Sequence, residues 1–254
     1  MIVAPQPSSA LRFILHYRFG AVAQRKLGGS QPEGCERQTM TSASTRIERL
    51  FLAGPGGRLE ALLESTPGSR PRMTALVCHP HPSYGGTMHT KIVFRAAKAA
   101  LGLGLPTLRF NFRGVGKSEG SFAHGLGEGD DVRAALDILD QRFPALPIVL
   151  MGFSFGSWVG LAVGATDRRV TALVGLGVPV SSSDFSFLAP VAKPKLIVQG
   201  TQDAFGPRDQ VERLYASLAE PKQIRWIQGA DHFFTNKTEG AQEAIRGFLS
   251  GLPG

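Results

Sequence analysis

The stretch Pro147-Ile-Val-Leu-Met-Gly152-Phe-Ser154-Phe-Gly156-Ser-Trp-Val-Gly160-Leu-Ala-Val-Gly164 holds three features in order. A short β-type apolar run comes first, then a serine flanked by glycines, then a series of small apolar residues. Residues 143–166 carry no charge, which over 24 residues is long enough to imitate a membrane span. The glycines at 152, 156, 160 and 164 imitate a helix-dimerisation motif as well. A polar serine at a Gly-rich turn fits better with a buried strand, a sharp turn and a buried helix, which are also free of charge. No membrane span is expected.

Gly152-Phe-Ser154-Phe-Gly156 matches G-x-S-x-G. Alone the pentapeptide says little, but here it ends a strand and opens a helix, as a nucleophile elbow requires. A strained turn needs glycine where backbones approach closely. Ser154 is therefore the candidate nucleophile, and its hydroxyl needs a base to take its proton.

Outward from this stretch, short apolar runs alternate with helical ones. Strands are expected at 47–53, 58–63, 74–79, 107–112, 148–153, 170–177, 196–200 and 223–228. Gly54-Pro-Gly-Gly57 marks a hairpin between the first two. Helices are expected at 90–103, 129–142, 155–165, 207–218 and 239–250. An antiparallel start followed by βα repeats implies an α/β fold, with a mostly parallel sheet of about eight strands flanked by helices.

In such a sheet the base follows the last strand, and the carboxylate lies just past the strand before it. His232, in Gly229-Ala-Asp-His232, and Asp203, in Gly200-Thr-Gln-Asp203, stand in those places. The order Ser154, Asp203, His232 is that of an α/β-hydrolase triad. Asp209 belongs to a helix, Asp231 adjoins His232, and Asp184 follows a different strand. Each is read as a cap or a surface charge.

Cleaving an acyl bond develops charge on the carbonyl oxygen, which calls for two fixed N–H donors. The residue after the nucleophile, Phe155, supplies one. The loop Cys78-His-Pro80-His81-Pro82-Ser-Tyr84-Gly-Gly86 supplies the other. Its prolines have no N–H, so His81 is the first choice, followed by Ser83 and Tyr84. His79, His81, His89 and Cys78 also suggest a metal site, but no H-x-E-x-x-H helix and no further cluster completes one. Arg113-Gly-Val-Gly-Lys-Ser118 resembles the end of a phosphate loop, yet Asn111 stands where that pattern needs glycine. Neither metal nor cofactor is expected.

Composition narrows the rest. The chain has 254 residues, of which 43% are hydrophobic and 19% charged. That supports one sizeable core and excludes wholesale disorder. Its two cysteines do not make a disulfide scaffold, so a cytoplasmic home is expected. The net charge of +8 is scattered, with no basic run beyond a dipeptide, so no nucleic-acid partner is expected. Residues 1–39 are read as a basic, disordered, dispensable extension, and residues 40–254 as the folded domain, with Met40 opening a natural beginning.

Together, His79-Pro-His-Pro82 with Gly85-Gly86, Phe110-Asn-Phe-Arg-Gly-Val-Gly116 with Ser118-Glu-Gly120, Gly152-Phe-Ser-Phe-Gly156, Gly200-Thr-Gln-Asp203 and Gly229-Ala-Asp-His232 resemble the α/β-hydrolase superfamily. Small bacterial serine hydrolases without a cap domain are the nearest likeness. The resemblance implies an esterase or thioesterase working through an acyl-enzyme on a small ester. A peptide or amide hydrolase with the same triad, and a non-enzymatic binding module, are the alternatives. Caps in this superfamily sit between the sixth and seventh strands, and here residues 178–195 are too few for a lid. Tyr84, Phe153, Phe185 and Phe233 are expected to bind the substrate. A chain lacking residues 1–39 is expected to fold and keep its activity, which thermal melting and ester hydrolysis beside the full chain will check.

Overall fold

A computed structural model describes residues 45–253; the expected extension, residues 1–39, lies outside them. The elements run β1 (Arg46–Gly54), β2 (Gly57–Ser65), β3 (Thr74–Cys78), α1 (Lys91–Leu101), β4 (Thr107–Phe110), α2 (Leu126–Arg142), β5 (Ile148–Phe153), α3 (Phe155–Thr166), β6 (Val170–Leu176), β7 (Lys195–Gly200), α4 (Arg208–Ser217), β8 (Lys222–Ile227) and α5 (Thr238–Ser250).

The strands form one sheet in the order β1-β2-β4-β3-β5-β6-β7-β8. β1 pairs antiparallel with β2, and β2 with β4; every later pairing is parallel. This is the α/β-hydrolase fold. Between β6 and β7 the only regular element among the described residues is a three-residue turn, Ser186–Leu188, so no cap domain sits there.

The inner strands β3 to β7 are buried on both faces almost throughout, which explains their near-continuous apolar sequences, while β1 and β8 at the edges stay partly exposed. Side chains alternate across the sheet with the period of two that a strand imposes. In β5, Ile148 and Leu150 enter one core with α2 and α3. Val149, Met151 and Phe153 enter the other, with α1 and α5. Residues 143–166 form β5, a turn and α3, with the strand wholly buried. Among the described residues no helix is long and apolar enough to cross a membrane.

α2 begins three residues before its expected start, inside the glycine-rich run 125–129. Glu128 turns back and accepts from the N–H groups of Ala123, at 2.8 Å, and Gly125, at 2.7 Å. That satisfies donors which a helix start otherwise leaves orphaned.

A buried ion pair joins the antiparallel part of the sheet to the loop after β3. Arg109 on β4 donates through Nε and Nη2 to Glu64 on β2, at 2.9 and 2.6 Å. Its Nη1 donates to the Met88 carbonyl at 2.7 Å. The two side chains are only 4% and 2% exposed. Removing the carboxylate strands a desolvated guanidinium, so Glu64→Ala is expected to cost about 3–5 kcal/mol in urea unfolding.

Candidate active site

Ser154 follows β5 directly and has φ +54° and ψ −122°, a region that a residue with a Cβ rarely adopts. Such strain costs on the order of 1–3 kcal/mol and persists only where the surroundings enforce it. The glycines show how this is done. A Cβ on Gly152 would stand 2.2 Å from the Gly156 carbonyl oxygen, and one on Gly156 would stand 2.4 Å from that of His79. The start of α3 is thus pressed against the ends of both β5 and β3. The Ser154 N–H donates to the Leu176 carbonyl at 3.0 Å. Its own carbonyl accepts the Ser157 hydroxyl at 2.6 Å.

The three residues expected to act together do meet. His232 Nε2 lies 2.9 Å from Ser154 Oγ. Its Nδ1 lies 2.9 and 3.0 Å from the two carboxylate oxygens of Asp203. The loops that carry them interlock: the Gln202 N–H donates to the Ala230 carbonyl at 2.9 Å, and the Gly229 N–H to Thr201 Oγ1 at 2.8 Å. Asp203 is buried and accepts further bonds from the N–H groups of Phe205, at 2.8 Å, and Gly206, at 3.2 Å.

The rival carboxylates are engaged locally. Asp231 accepts the N–H and hydroxyl of Thr235, Asp184 accepts those of Ser186, and Asp209 pairs with Arg213.

Gln199 went unremarked in the sequence. It is wholly buried on β7, donates through Nε2 to Asp203 at 2.8 Å, and accepts the Val178 N–H at 2.9 Å. A lone amide inside an apolar strand was its signal. Phe205 was missed as well; its ring centroid lies 4.5 Å from that of His232.

Hydrogen bonding in the loop after β3 singles out one amide. The Ser83 N–H donates to His81 Nδ1, and the Tyr84 and Gly86 N–H groups donate to the His81 carbonyl. The Gly85 N–H bonds Pro82, Thr87 bonds Thr90, Met88 bonds Asn111, His89 bonds Thr87, and Thr90 bonds the Thr87 carbonyl. From residue 81 to residue 90, His81 alone has an N–H that no described residue accepts. In a loop otherwise this fully bonded, that N–H is the donor that can receive an oxygen brought by a substrate. The Phe155 N–H likewise meets no acceptor among the described residues. The His81 and Phe155 rings lie 5.0 Å apart, so the two residues are neighbours. The second-choice donors, Ser83 and Tyr84, are excluded because their amides are spent within the turn.

His79, weighed above as a metal ligand and set aside, is bonded to backbone on both sides. His79 Nδ1 bonds the Pro80 carbonyl at 2.6 Å, and its Nε2 accepts the Phe112 N–H at 3.0 Å. Among the described residues no three His, Cys, Asp or Glu side chains gather as metal ligands.

The four expected substrate contacts divide. Tyr84 and Phe233 are exposed, at 58% and 52%. Phe153 and Phe185 are buried, at 0% and 2%; Phe185 offers no surface to a ligand, and Phe153 only backs the cavity beside Phe233. Phe153 instead lies beneath the imidazole of His232, with ring centroids 5.2 Å apart, and Phe185 packs in the core with α3. A cavity of about 270 Å³ opens beside Phe233, next to Thr90 and Ile92 at the start of α1.

The sequence pattern of the alpha/beta hydrolase domain matches residues 74–246, and the chain belongs to that family. It is 39% identical to an uncharacterised protein of Rickettsia prowazekii over 213 residues, 80% of this chain and 89% of that one. Among solved structures, it is similar to an alpha-beta serine hydrolase homologue from Coxiella burnetii. That match has 39% identity and a TM-score of 0.75, over 80% of this chain and 97% of that one. A Xanthomonas campestris protein, described as a serine hydrolase without lid, has 34% identity and a TM-score of 0.75, over 82% and 96% of the two chains.

Burial lowers the His79 pKa from 6.5 to about 4. Between those values the unfolded chain binds the extra proton and the folded one does not, so stability falls as pH falls. The contribution is complete above about pH 6.5 and is lost on approaching pH 4, up to about 3 kcal/mol. Urea unfolding across that range is expected to show this dependence in the wild type and to lack that part of it in His79→Asn.

Proposed function

We propose that the protein is a serine hydrolase that cleaves small carboxylic esters. The reading is carried by the unbroken chain of hydrogen bonds from Ser154 Oγ through the His232 ring to Asp203. Ser154 attacks the substrate carbonyl while His232 Nε2 takes its proton. Asp203 holds the ring in the Nδ1–H tautomer and stabilises the imidazolium that forms. The charge that develops on the carbonyl oxygen is received by the N–H groups of Phe155 and His81. His232 then returns its proton to the leaving alcohol. The acyl-enzyme is resolved by water, which the same base activates. The reaction needs no metal and no cofactor.

Substrate size follows from the surroundings. Without a cap between β6 and β7, the region above Ser154 is open. We take the cavity of about 270 Å³ lined by Phe233 and Phe234, which follow His232 in sequence, as the place for a short acyl or aryl group. Exposed Phe233 offers apolar contact at the cavity, and exposed Tyr84 offers it beside His81. A chain with two cysteines and no disulfide scaffold fits a reducing compartment, and we take the cytoplasm as the place of this chemistry.

A fluorophosphonate probe is expected to label the wild type and leave Ser154→Ala unlabelled. On p-nitrophenyl acetate, Ser154→Ala and His232→Ala are each expected to lose at least about 10³-fold in kcat. Asp203→Asn is expected to lose on the order of 10⁴-fold. Rates along a series of p-nitrophenyl esters are expected to fall as the acyl chain lengthens. Labelling that persists in Ser154→Ala would refute the assignment.

A further inference from the structure

His79 lies outside the proposed triad, and its side chain makes no hydrogen bond to Ser154, Asp203 or His232. Nothing in the proposed mechanism uses it, yet it is wholly buried, and both of its ring nitrogens bond to backbone. The Pro80 carbonyl has no proton to give, so Nδ1 must carry the hydrogen and donate. Nε2 then holds a lone pair, which accepts the Phe112 N–H. That amide therefore fixes the tautomer. Phe112 comes from the Phe110-Asn-Phe-Arg stretch that the sequence set apart and to which no task had been assigned.

The carbonyl that His79 holds belongs to the same peptide unit as the His81 N–H. A peptide is planar and trans, so its C=O and N–H point in opposite directions. Holding the oxygen therefore sets the direction of the hydrogen. Other contacts keep this peptide from turning. A Cβ on Gly86 would stand 2.2 Å from the Pro80 carbonyl oxygen, so the strand of loop at Gly86 packs directly on it. The far end of the loop is tied to β4 and the residue after it: the Met88 N–H donates to Asn111 Oδ1 at 2.8 Å, and its carbonyl accepts from Arg109 at 2.7 Å. The Phe112 ring packs edge-on against the imidazole, with centroids 4.7 Å apart.

We propose that His79 is a positioning residue: by holding the Pro80 carbonyl, it aims the His81 N–H at the oxygen that becomes charged during acyl transfer. This rests on the reading of Ser154 as the nucleophile. The ring's low basicity keeps it neutral, so the bonding pattern holds across the range in which an esterase works. A rigid five-membered ring suits the task, because one nitrogen donates while the other accepts along fixed directions.

The test compares wild type, His79→Ala, His79→Gln and His79→Asn on p-nitrophenyl acetate, with active sites counted by fluorophosphonate titration. The Asn amide nitrogen can occupy the place of Nδ1 and keep the bond to Pro80. The Gln amide reaches the place of Nε2 and keeps the bond to Phe112 instead. Per titrated site, kcat and kcat/KM are expected to fall together by about 10²-fold in His79→Ala and His79→Gln, with KM unchanged. His79→Asn is expected to recover most of that loss. Phenylboronic acid, which forms a tetrahedral adduct on a nucleophilic serine, is expected to bind more weakly by a matching factor.

A purely structural role would lower the titrated fraction or the melting temperature and leave the turnover of each titrated site intact. That result would overturn the proposal, as would equal activity in His79→Gln and His79→Asn. If His79→Ala does not fold, the comparison of Gln with Asn decides. Should the wild type take no label, the nucleophile reading falls and this proposal falls with it.

Discussion

The contact between the start of α3 and the end of β3 is the constraint on which the site depends. Gly156 has no side chain, so its Cα sits against the Cys78 and His79 carbonyls at a distance that any Cβ would forbid. That approach brings the β5–α3 turn and the loop after β3 together at the C-terminal edge of the sheet. It places Phe155 beside His81, two residues whose N–H groups meet no acceptor among the described residues. It also enforces the strained backbone of Ser154, because a turn packed on two sides has no room to relax. Loss of the contact would remove the proposed nucleophile geometry and the proposed oxyanion donors together.

Around this contact the protein buries polar groups that each bond more than one partner. His79 bridges Pro80 and Phe112, Arg109 bridges Glu64 and Met88, and Gln199 bridges Asp203 and Val178. In a region of low dielectric an unpaired polar group is costly, so each of these side chains has essentially one acceptable arrangement. Each also fixes a loop at the site. Arg109 and His79 hold the two ends of the loop after β3, and Gln199 holds the carboxylate behind the imidazole. The precision of the site therefore comes largely from side chains that do not touch a substrate.

The eight strands and five helices were legible because their patterns are local. A strand buried on both faces reads as a short apolar run, and each expected strand end lies within about two residues of the observed one. The start of α2 was obscured, since its glycines mask a helix that Glu128 closes by reaching back to Ala123 and Gly125. Ser154, Asp203 and His232 were legible through their order along the chain. Phe153 was misjudged because closeness in sequence to a reactive residue does not say which face of the sheet a side chain enters, and Phe185, in the segment between β6 and β7, packs inward instead of facing the site. Phe153 lies one residue from Ser154, yet alternation along the strand sends it into the core with α1 and α5.

By itself, the sequence determined where strand, turn and helix succeed one another, since hydrophobic period and glycine placement act over a few residues. It also determined that a serine, a carboxylate and an imidazole stand after the fifth, seventh and eighth strands. Only the tertiary structure decided which amide after β3 meets no acceptor among the described residues, why Gln199 interrupts an apolar strand, and which phenylalanines face solvent. These depend on hydrogen bonds and packing between segments far apart in the chain, and no local pattern records which distant partner has already claimed a donor.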